Sequence, residues 1–180
     1  MIQHTVAALL AFALAAAACS RSPGAEGTSP EPIAKGTFHN AEGQRIGVAT
    51  FTDSGGRPQL EVSVSQLPPG VHGFHVHAVG VCTPPDFKSA GGHLNPDDTH
   101  HGRLNPDGPH LGDLPNLAVG ANGSADTTFA VSAALLGSGA GSLFQSEGTA
   151  LVIHADPDDY RTDPSGNSGD RIACAVIERG

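Results

Sequence analysis

The sequence lacks tryptophan, has few aromatic residues of any kind and contains no cluster of lysine and arginine. Aromatic residues make up 4% of the 180 residues, and 18 acidic residues outnumber 9 basic ones, which gives a formal charge of −9. A chain without a basic patch is a poor partner for nucleic acid or for an anionic membrane surface, and neither is expected to bind.

The N-terminal apolar run, Thr5 to Ala18, is too short to span a bilayer and is typical of an export signal. Small residues before Cys19 resemble the lipobox of bacterial lipoproteins, in which the cysteine is lipidated. We predict a signal peptide at residues 1–18, then a lipidated Cys19 and a flexible linker at 19–32. Simple cleavage nearby and an uncleaved N-terminus are the alternatives, because the run has no preceding Lys or Arg and Ala16 stands where leucine is usual.

Glycine (24 residues) and proline (14 residues) are abundant, which favours short strands joined by turns over long helices. From Leu60 to Val64, apolar and polar residues alternate with the period of a strand. We predict one all-β domain at 33–180, with a strand at Val71–His77 and a hairpin at 121–124. Two long stretches, Ala78–Asp113 and Ala155–Asp170, lack strand periodicity, and loops of that length are usually functional.

Histidine is over-represented: eight of the ten lie between His72 and His154. On a strand, His75 and His77 project to the same face while Phe74 and Val76 face the core. Imidazole pairs of this kind suit copper and zinc.

A second concentration of metal-binding residues occupies the first long stretch. Three imidazoles and one carboxylate would make a closed tetrahedral zinc site of the structural kind, which would order a loop that has little else to hold it. A further histidine, His154, ends the apolar strand 151–153. The candidates in the long stretch are His93, His100, His101, His110 and Asp113.

Three cysteines are present. If Cys19 carries lipid, Cys82 and Cys174 remain as an even pair that could form a disulfide in an oxidising compartment. Two unrelated buried thiols are the alternative.

Five ordered motifs resemble those of the copper/zinc superoxide dismutase family, over roughly Thr37 to Arg179. They are GVHGFHVH, SAGGHLNP, HLGDLPN, LVIHADPDDY and GNSGDRIACAVI. The resemblance implies an eight-stranded antiparallel Greek-key barrel, an immunoglobulin-like sandwich with two long functional loops.

The resemblance also implies one copper and one zinc ion per subunit, with His93 bridging the two metals. His100 is the fallback for His101. Cys82 and Cys174 match the family disulfide. The implied copper ligands are His75, His77, His93 and His154, and the implied zinc ligands are His93, His101, His110 and Asp113.

Two further residues gain roles from the resemblance. Asp158 matches a carboxylate that orients ligands of both metals, and Arg171 matches the arginine beside the copper. The second long stretch is otherwise acidic, and Asp170 directly precedes Arg171. Whether Asp170 turns toward the channel or outward decides whether it weakens attraction of an anionic substrate, and the sequence leaves this open.

The expected activity is the disproportionation of superoxide to oxygen and hydrogen peroxide by an exported enzyme of the periplasm or cell envelope, held to a membrane only through its lipid. The alternatives are a non-catalytic copper- and zinc-binding lipoprotein of the same fold and a structural β-sandwich with incidental histidines. Hydrolysis fits poorly, because a zinc ion with four protein ligands has no position for an activated water. The sequence does not define the oligomeric state, and a homodimer is one assembly compatible with it.

Overall fold

A computed structural model describes residues 1–2 and 30–180 of the chain. Most of the predicted signal peptide, Cys19 and most of the predicted linker lie outside the described residues. Within the described residues, no helix is long and apolar enough to cross a membrane.

Residues 30–180 form nine short strands and almost no helix. Helical structure in this part of the chain is limited to a 3-10 turn at Lys88–Ala90 and the single-turn helix α1 at Ala133–Leu136. The strands are β1 (Ala34–Asn40), β2 (Arg45–Asp53), β3 (Pro58–Val64), β4 (Gly70–His72), β5 (Phe74–His77), β6 (Leu117–Val119), β7 (Ala125–Ala130), β8 (Ala150–His154) and β9 (Arg171–Arg179).

Seven strands form one curled antiparallel sheet in the order β5-β8-β9-β1-β2-β3-β7, and β4 pairs with β6 in a second, small sheet. The all-β prediction is therefore confirmed. The strand predicted at 71–77 is divided in two at Gly73, which raises the count to nine. Gly73 lies against the loop that follows β8: a Cβ there would be 2.5 Å from the hydroxyl of Ser168, so only glycine fits without a shift.

The turn predicted at 121–124 is present, but the prediction that it joins two paired strands in a hairpin is wrong. Asn122 and Gly123 form the turn, with Gly123 at a φ of 74° and the backbone N–H of Gly120 donating to Ser124. The strands on either side then diverge, because β6 pairs with β4 and β7 pairs with β3. A local turn signal does not reveal that the chain changes sheets at this point.

Strands β5 and β8 are buried on both faces. Phe74 and Val76 join the main core, as predicted, together with Leu151 and Ile153 of β8. The register pairs His75 with Val152. The side chains of β5 and β8 that point away from the core therefore form one surface on the outside of the barrel. The two long loops cover that surface: residues 78–116, here called the first loop, and residues 155–170, the second loop.

The first loop is attached to the barrel through a smaller apolar cluster. Phe87 and Ala90 of this loop pack on Ala150 and Val152, together with Cys174. A disulfide joins Cys82 to Cys174, with 5.7 Å between the Cα atoms. The predicted pairing of these two cysteines is confirmed, and it ties the first loop to β9.

We expect the double substitution Cys82→Ala/Cys174→Ala to lower the free energy of unfolding by about 2–5 kcal/mol. The bridge closes a loop with a sequence separation of 92 residues, and a link of that length restricts the unfolded chain strongly. Urea denaturation of the metal-free full chain would measure the change, and reduction of the unsubstituted chain should reproduce it. Unchanged denaturation midpoints in both would contradict the expectation.

Candidate metal centre

The first loop returns twice to the free edge of β5. The backbone N–H of Leu94 donates to the carbonyl of Val76, and the N–H of Val76 donates to the carbonyl of Gly112, at 2.8 and 2.9 Å. Isolated bridges accordingly pair His77 with His93 and His75 with Asp113. Loop residues separated by about twenty positions are therefore fixed beside the two histidines of the strand.

Four imidazoles meet on this surface in what we call the four-histidine group: His75, His77, His93 and His154. All four side chains are buried. One ring nitrogen of each has no hydrogen-bond partner among the described residues, although it is removed from solvent. A buried polar atom without a partner is costly, and a metal ion is the partner that imidazole nitrogens commonly take. The unpartnered atoms are Nδ1 of His75 and Nε2 of His77, His93 and His154.

The other nitrogen of each strand histidine is held by the protein. Nε2 of His75 lies 3.1 Å from a carboxylate oxygen of Asp158, and Nδ1 of His77 lies 2.9 Å from the carbonyl of Gly91. Nδ1 of His154 lies 3.3 Å from the carbonyl of Gly169. Hydrogen bonds of this kind fix the tautomer and aim the remaining nitrogen at the common centre.

A second set, which we call the mixed group, consists of His93, His101, His110 and Asp113. Oδ1 of Asp113 lies 2.8, 3.1 and 3.2 Å from the Nδ1 atoms of His93, His101 and His110. The Nδ1 atoms of His93 and His110 are 3.4 Å apart. Ligand atoms about 2.0–2.1 Å from a tetrahedral zinc ion lie roughly 3.3 Å from one another. The donor set and its spacing therefore fit zinc.

His93 belongs to both groups through different atoms. Its Nδ1 faces the mixed group, and its buried Nε2 faces the four-histidine group. Asp158 connects the groups from behind: one oxygen contacts Nε2 of His75, and the other contacts Nε2 of His101 at 2.9 Å. One imidazole and one carboxylate thus link the two groups.

Burial makes the four-histidine group a set of neutral bases. It lowers the pKa of His93 to about 4, although the hydrogen bond to Asp113 opposes the shift. Burial, with the nearby His75, lowers the pKa of His154 to about 3. The pKa of His77 is also lowered well below its ordinary value by burial. Neutral imidazole is the form that binds a metal ion.

The carboxylate of Asp113 gives the mixed group a negative charge, which hydrogen bonds from histidines stabilise. Burial alone would raise the pKa of Asp113, but the hydrogen bonds from His101 and His93 hold it well below its usual range. Burial acts to lower the pKa of His101, and its hydrogen bonds to Asp113 and Asp158 outweigh that effect and raise it to about 9. The carboxylates remain ionised, which favours a cation between them.

A cavity of about 370 Å³ opens over the four-histidine group. Arg171 lines it, and its guanidinium donates to the carbonyls of Phe87 and Gly91 at 2.7 and 2.6 Å. The carbonyl of Gly91 also accepts from His77, so Arg171 and this histidine share one anchor. Burial lowers the pKa of Arg171 from its ordinary value, yet an arginine remains charged at any physiological pH. The other lining residues are His77, Gly92, His93, Asn95, His110, His154, Pro164, Ser165 and Gly169.

Asp170 is exposed and does not line the cavity over the histidines. It lines a neighbouring cavity with Asp86 and Lys88, and Arg171 borders both cavities. The structure places His101, rather than the fallback His100, in the mixed group.

His72 and His39 lie outside both groups. His72 is buried, and its ring nitrogens contact the carbonyls of His154 and Pro68, while His39 lies on β1, paired with β9.

Several groups that shape the site were not found from the sequence. The carbonyls of Gly91 and Gly169, which orient His77 and His154, belong to the main chain and leave no side-chain signature. Asn116 exchanges two 2.9 Å hydrogen bonds with the backbone of Asp158. Asn116 lies within the HLGDLPN motif, but nothing in its spacing identifies Asp158 as its partner.

Comparison with known proteins gives one consistent result. A model of the copper/zinc superoxide dismutase family matches residues 45–177. The chain is 45% identical to superoxide dismutase [Cu-Zn] 1 of Aquifex aeolicus over 141 residues, which cover 77% of this chain and 83% of that protein. It is 37% identical to superoxide dismutase [Cu-Zn] of Escherichia coli over 176 residues, which cover 93% of this chain and 98% of that protein.

A solved structure agrees. A superoxide dismutase-like protein from Bacillus subtilis superposes with a TM-score of 0.74 at 39% identity, over 79% of this chain and 96% of that chain. Fold, histidine arrangement and sequence matches therefore agree, and the chain belongs to the copper/zinc superoxide dismutase family.

Proposed function

We propose that this protein converts two superoxide anions and two protons into oxygen and hydrogen peroxide. The four-histidine group would hold copper and the mixed group would hold zinc. The observation that carries the proposal is the convergence of four buried, unpartnered imidazole nitrogens on one point under a cavity lined by an arginine. Zinc has no redox chemistry, so the redox metal belongs in the group made of imidazoles alone.

Bound copper would supply one-electron chemistry, taking an electron from one superoxide and giving it to the next. Arg171 supplies a fixed positive charge in the cavity wall, where it binds and orients the anion. Its hydrogen bonds to Phe87 and Gly91 fix the guanidinium, so little reorganisation accompanies substrate binding.

Nε2 of His93 has one lone pair, so it would hold a proton only in a state in which it is not bound to copper, and in that state it is placed to transfer the proton. Its Nδ1 is fixed in the mixed group by Asp113, so Nε2 keeps its orientation whether or not that atom carries a proton. Because Nε2 faces the centre of the four-histidine group beneath the cavity, a proton held there lies beside the bound anion. The product peroxide needs two protons, and His93 Nε2 would donate one of them.

The protein is proposed to work outside the cytoplasm. The Cys82–Cys174 disulfide supports this placement, because such bonds persist in oxidising compartments. We propose a periplasmic or envelope location with Cys19 as the lipid attachment site.

A Cys19→Ser variant should leave the membrane fraction and appear in the soluble fraction, with a matching loss of lipid mass by mass spectrometry of the intact chain. Unchanged membrane association would contradict lipidation at Cys19.

We expect His154→Ala to remove copper and leave zinc bound. The substitution deletes one nitrogen of the four-histidine group and touches none of the mixed group. Loss of a direct ligand should cost more than the roughly 10–100-fold effect of removing an outer partner, so dismutation should fall by more than about 100-fold. The measurements are metal content by mass spectrometry and the superoxide disproportionation rate of the reconstituted full chain.

The matched control is His39→Ala, which removes a histidine of β1 that belongs to neither group. It should retain both metals and the full rate. A fast, copper-dependent rate in the His154 variant would refute the proposed copper site, and stoichiometric copper and zinc with no dismutation in the unsubstituted chain would favour the non-catalytic alternative.

We expect Arg171→Ala to lower the dismutation rate by about ten- to a hundredfold at low ionic strength, because attraction of an anion to a positive cavity raises encounter rates. Arg171→Lys should keep part of the rate, since it retains the charge but loses the two-pronged attachment. Rates measured against salt concentration, at known copper content, would test this. A fully copper-loaded alanine variant with the normal rate and salt dependence would contradict it.

A further inference from the structure

One carboxylate of the second loop holds two consecutive residues of the first. Oδ2 of Asp163 accepts a hydrogen bond from Nδ1 of His100 at 2.5 Å, and Oδ1 accepts one from the backbone N–H of His101 at 2.6 Å. Asp163 is 63 positions from His100 and 62 positions from His101 in the chain. Its carboxylate therefore joins the second loop to the segment of the first loop that carries His101, a member of the mixed group. We call this contact the Asp163 clasp.

The two halves of the clasp differ in strength. The side chains of His100 and Asp163 are 61% and 42% exposed, so water and salt screen their charge pairing. The bond to the backbone N–H of His101 is partly buried and fixes the main chain directly. The second half is therefore expected to carry most of the effect.

Other contacts hold the ring of His101 and the residues on either side of it: the N–H of His100 donates to the carbonyl of Asp107, and the N–H of Gly102 donates to Oδ2 of Asp113. Asp158 contacts Nε2 of His101 and Asp113 contacts Nδ1 of the same ring, while the surrounding loop has no regular secondary structure. Among the described contacts, the bond from Asp163 is the one made to the backbone N–H of His101 itself. Asp158 and Asp163 together fix both the ring and the backbone of His101, and both carboxylates come from the second loop.

Neighbouring contacts show that the two loops are closely apposed here. The backbone N–H of Leu104 donates to the carbonyl of Tyr160 at 3.0 Å, and a Cβ on Gly102 would lie 2.1 Å from that oxygen. The clasp also reaches the cavity, since Pro164 and Ser165, which follow Asp163, line it. Asp163 therefore contacts the backbone of the mixed group on one side and is adjacent to the cavity wall on the other.

We infer that Asp163 is a positioning residue that holds the His101 backbone for zinc binding through its carboxylate. The inference rests on the proposed assignment of the mixed group to zinc. Asp163 touches neither substrate nor metal, and its effect passes through His101. Removal of the carboxylate should increase the rate of zinc release and leave the four-histidine group intact.

The test compares Asp163→Ala with Asp163→Asn in the purified full chain. The alanine variant should release zinc to a chelator about tenfold faster, the lower end of the effect of removing an outer partner. Asparagine keeps an oxygen that can accept from His101 N–H, so it should restore slow release. With cobalt(II) bound in place of zinc, the visible spectrum reports ligand geometry; it should change in the alanine variant and return toward the unsubstituted spectrum with asparagine.

Two matched variants separate the clasp from general loosening. Asp159→Ala removes a carboxylate from the same loop whose bonds stay within that loop, to Arg161, Thr162 and Asn167, and it should not accelerate zinc release to the same extent. His100→Ala deletes only the exposed half of the clasp and should behave nearly as the unsubstituted chain. If either variant releases zinc as fast as Asp163→Ala, the inference is overturned.

Failure of the inference is distinguishable from failure of the proposed zinc site. Asp113→Ala should abolish zinc and cobalt binding at the mixed group. If the unsubstituted chain binds neither ion, or Asp113→Ala binds them normally, the zinc assignment itself is refuted. If Asp113→Ala loses the ion while Asp163→Ala retains it with unchanged release and spectrum, only the role of Asp163 is refuted.

Discussion

An imidazole nitrogen buried without a hydrogen-bond partner costs about 1–3 kcal/mol, and four such atoms meet on the outer surface of β5 and β8. That arrangement is unfavourable unless a cation joins the four nitrogens. The remaining features of the site keep them in place: a carbonyl behind His77, another behind His154 and the Asp158 carboxylate behind His75. These contacts fix the tautomers and orient the rings toward their common centre.

The barrel supplies two of the histidines of that group on β5 and one on β8, and the loops must supply the rest. Loops without regular structure would be too mobile to do so, and three kinds of attachment restrict them. The disulfide and the small apolar cluster hold the first loop to β8 and β9. Backbone hydrogen bonds hold its returning segments to β5. Carboxylates of the second loop then fix individual histidines of the first.

Features that follow a regular period or a strong local motif could be predicted from the sequence. Period-two alternation correctly placed Phe74 and Val76 in the core and put His75 and His77 together on the other face. The break at Gly73 and the separation of β6 from β7 depend on tertiary contacts that no local pattern reports. The choice of His101 over His100 came from resemblance, because two adjacent loop histidines are equivalent until the backbone path is known.

The acidic second loop raised the question of how a negatively charged wall could suit an anionic substrate. In the structure most of these charges have partners away from the cavity. Asp158 bonds to His75 of β5 and to His101 of the first loop, and Asp163 bonds to His100 of the first loop. Hydrogen bonds from Thr162, Arg161 and Asn167 hold the pKa of Asp159 at about 2. Asp170 is exposed, and the neighbouring cavity that it lines also contains Lys88 and Arg171. The carboxylates thus order the loop, and Arg171 supplies the charge that faces the substrate.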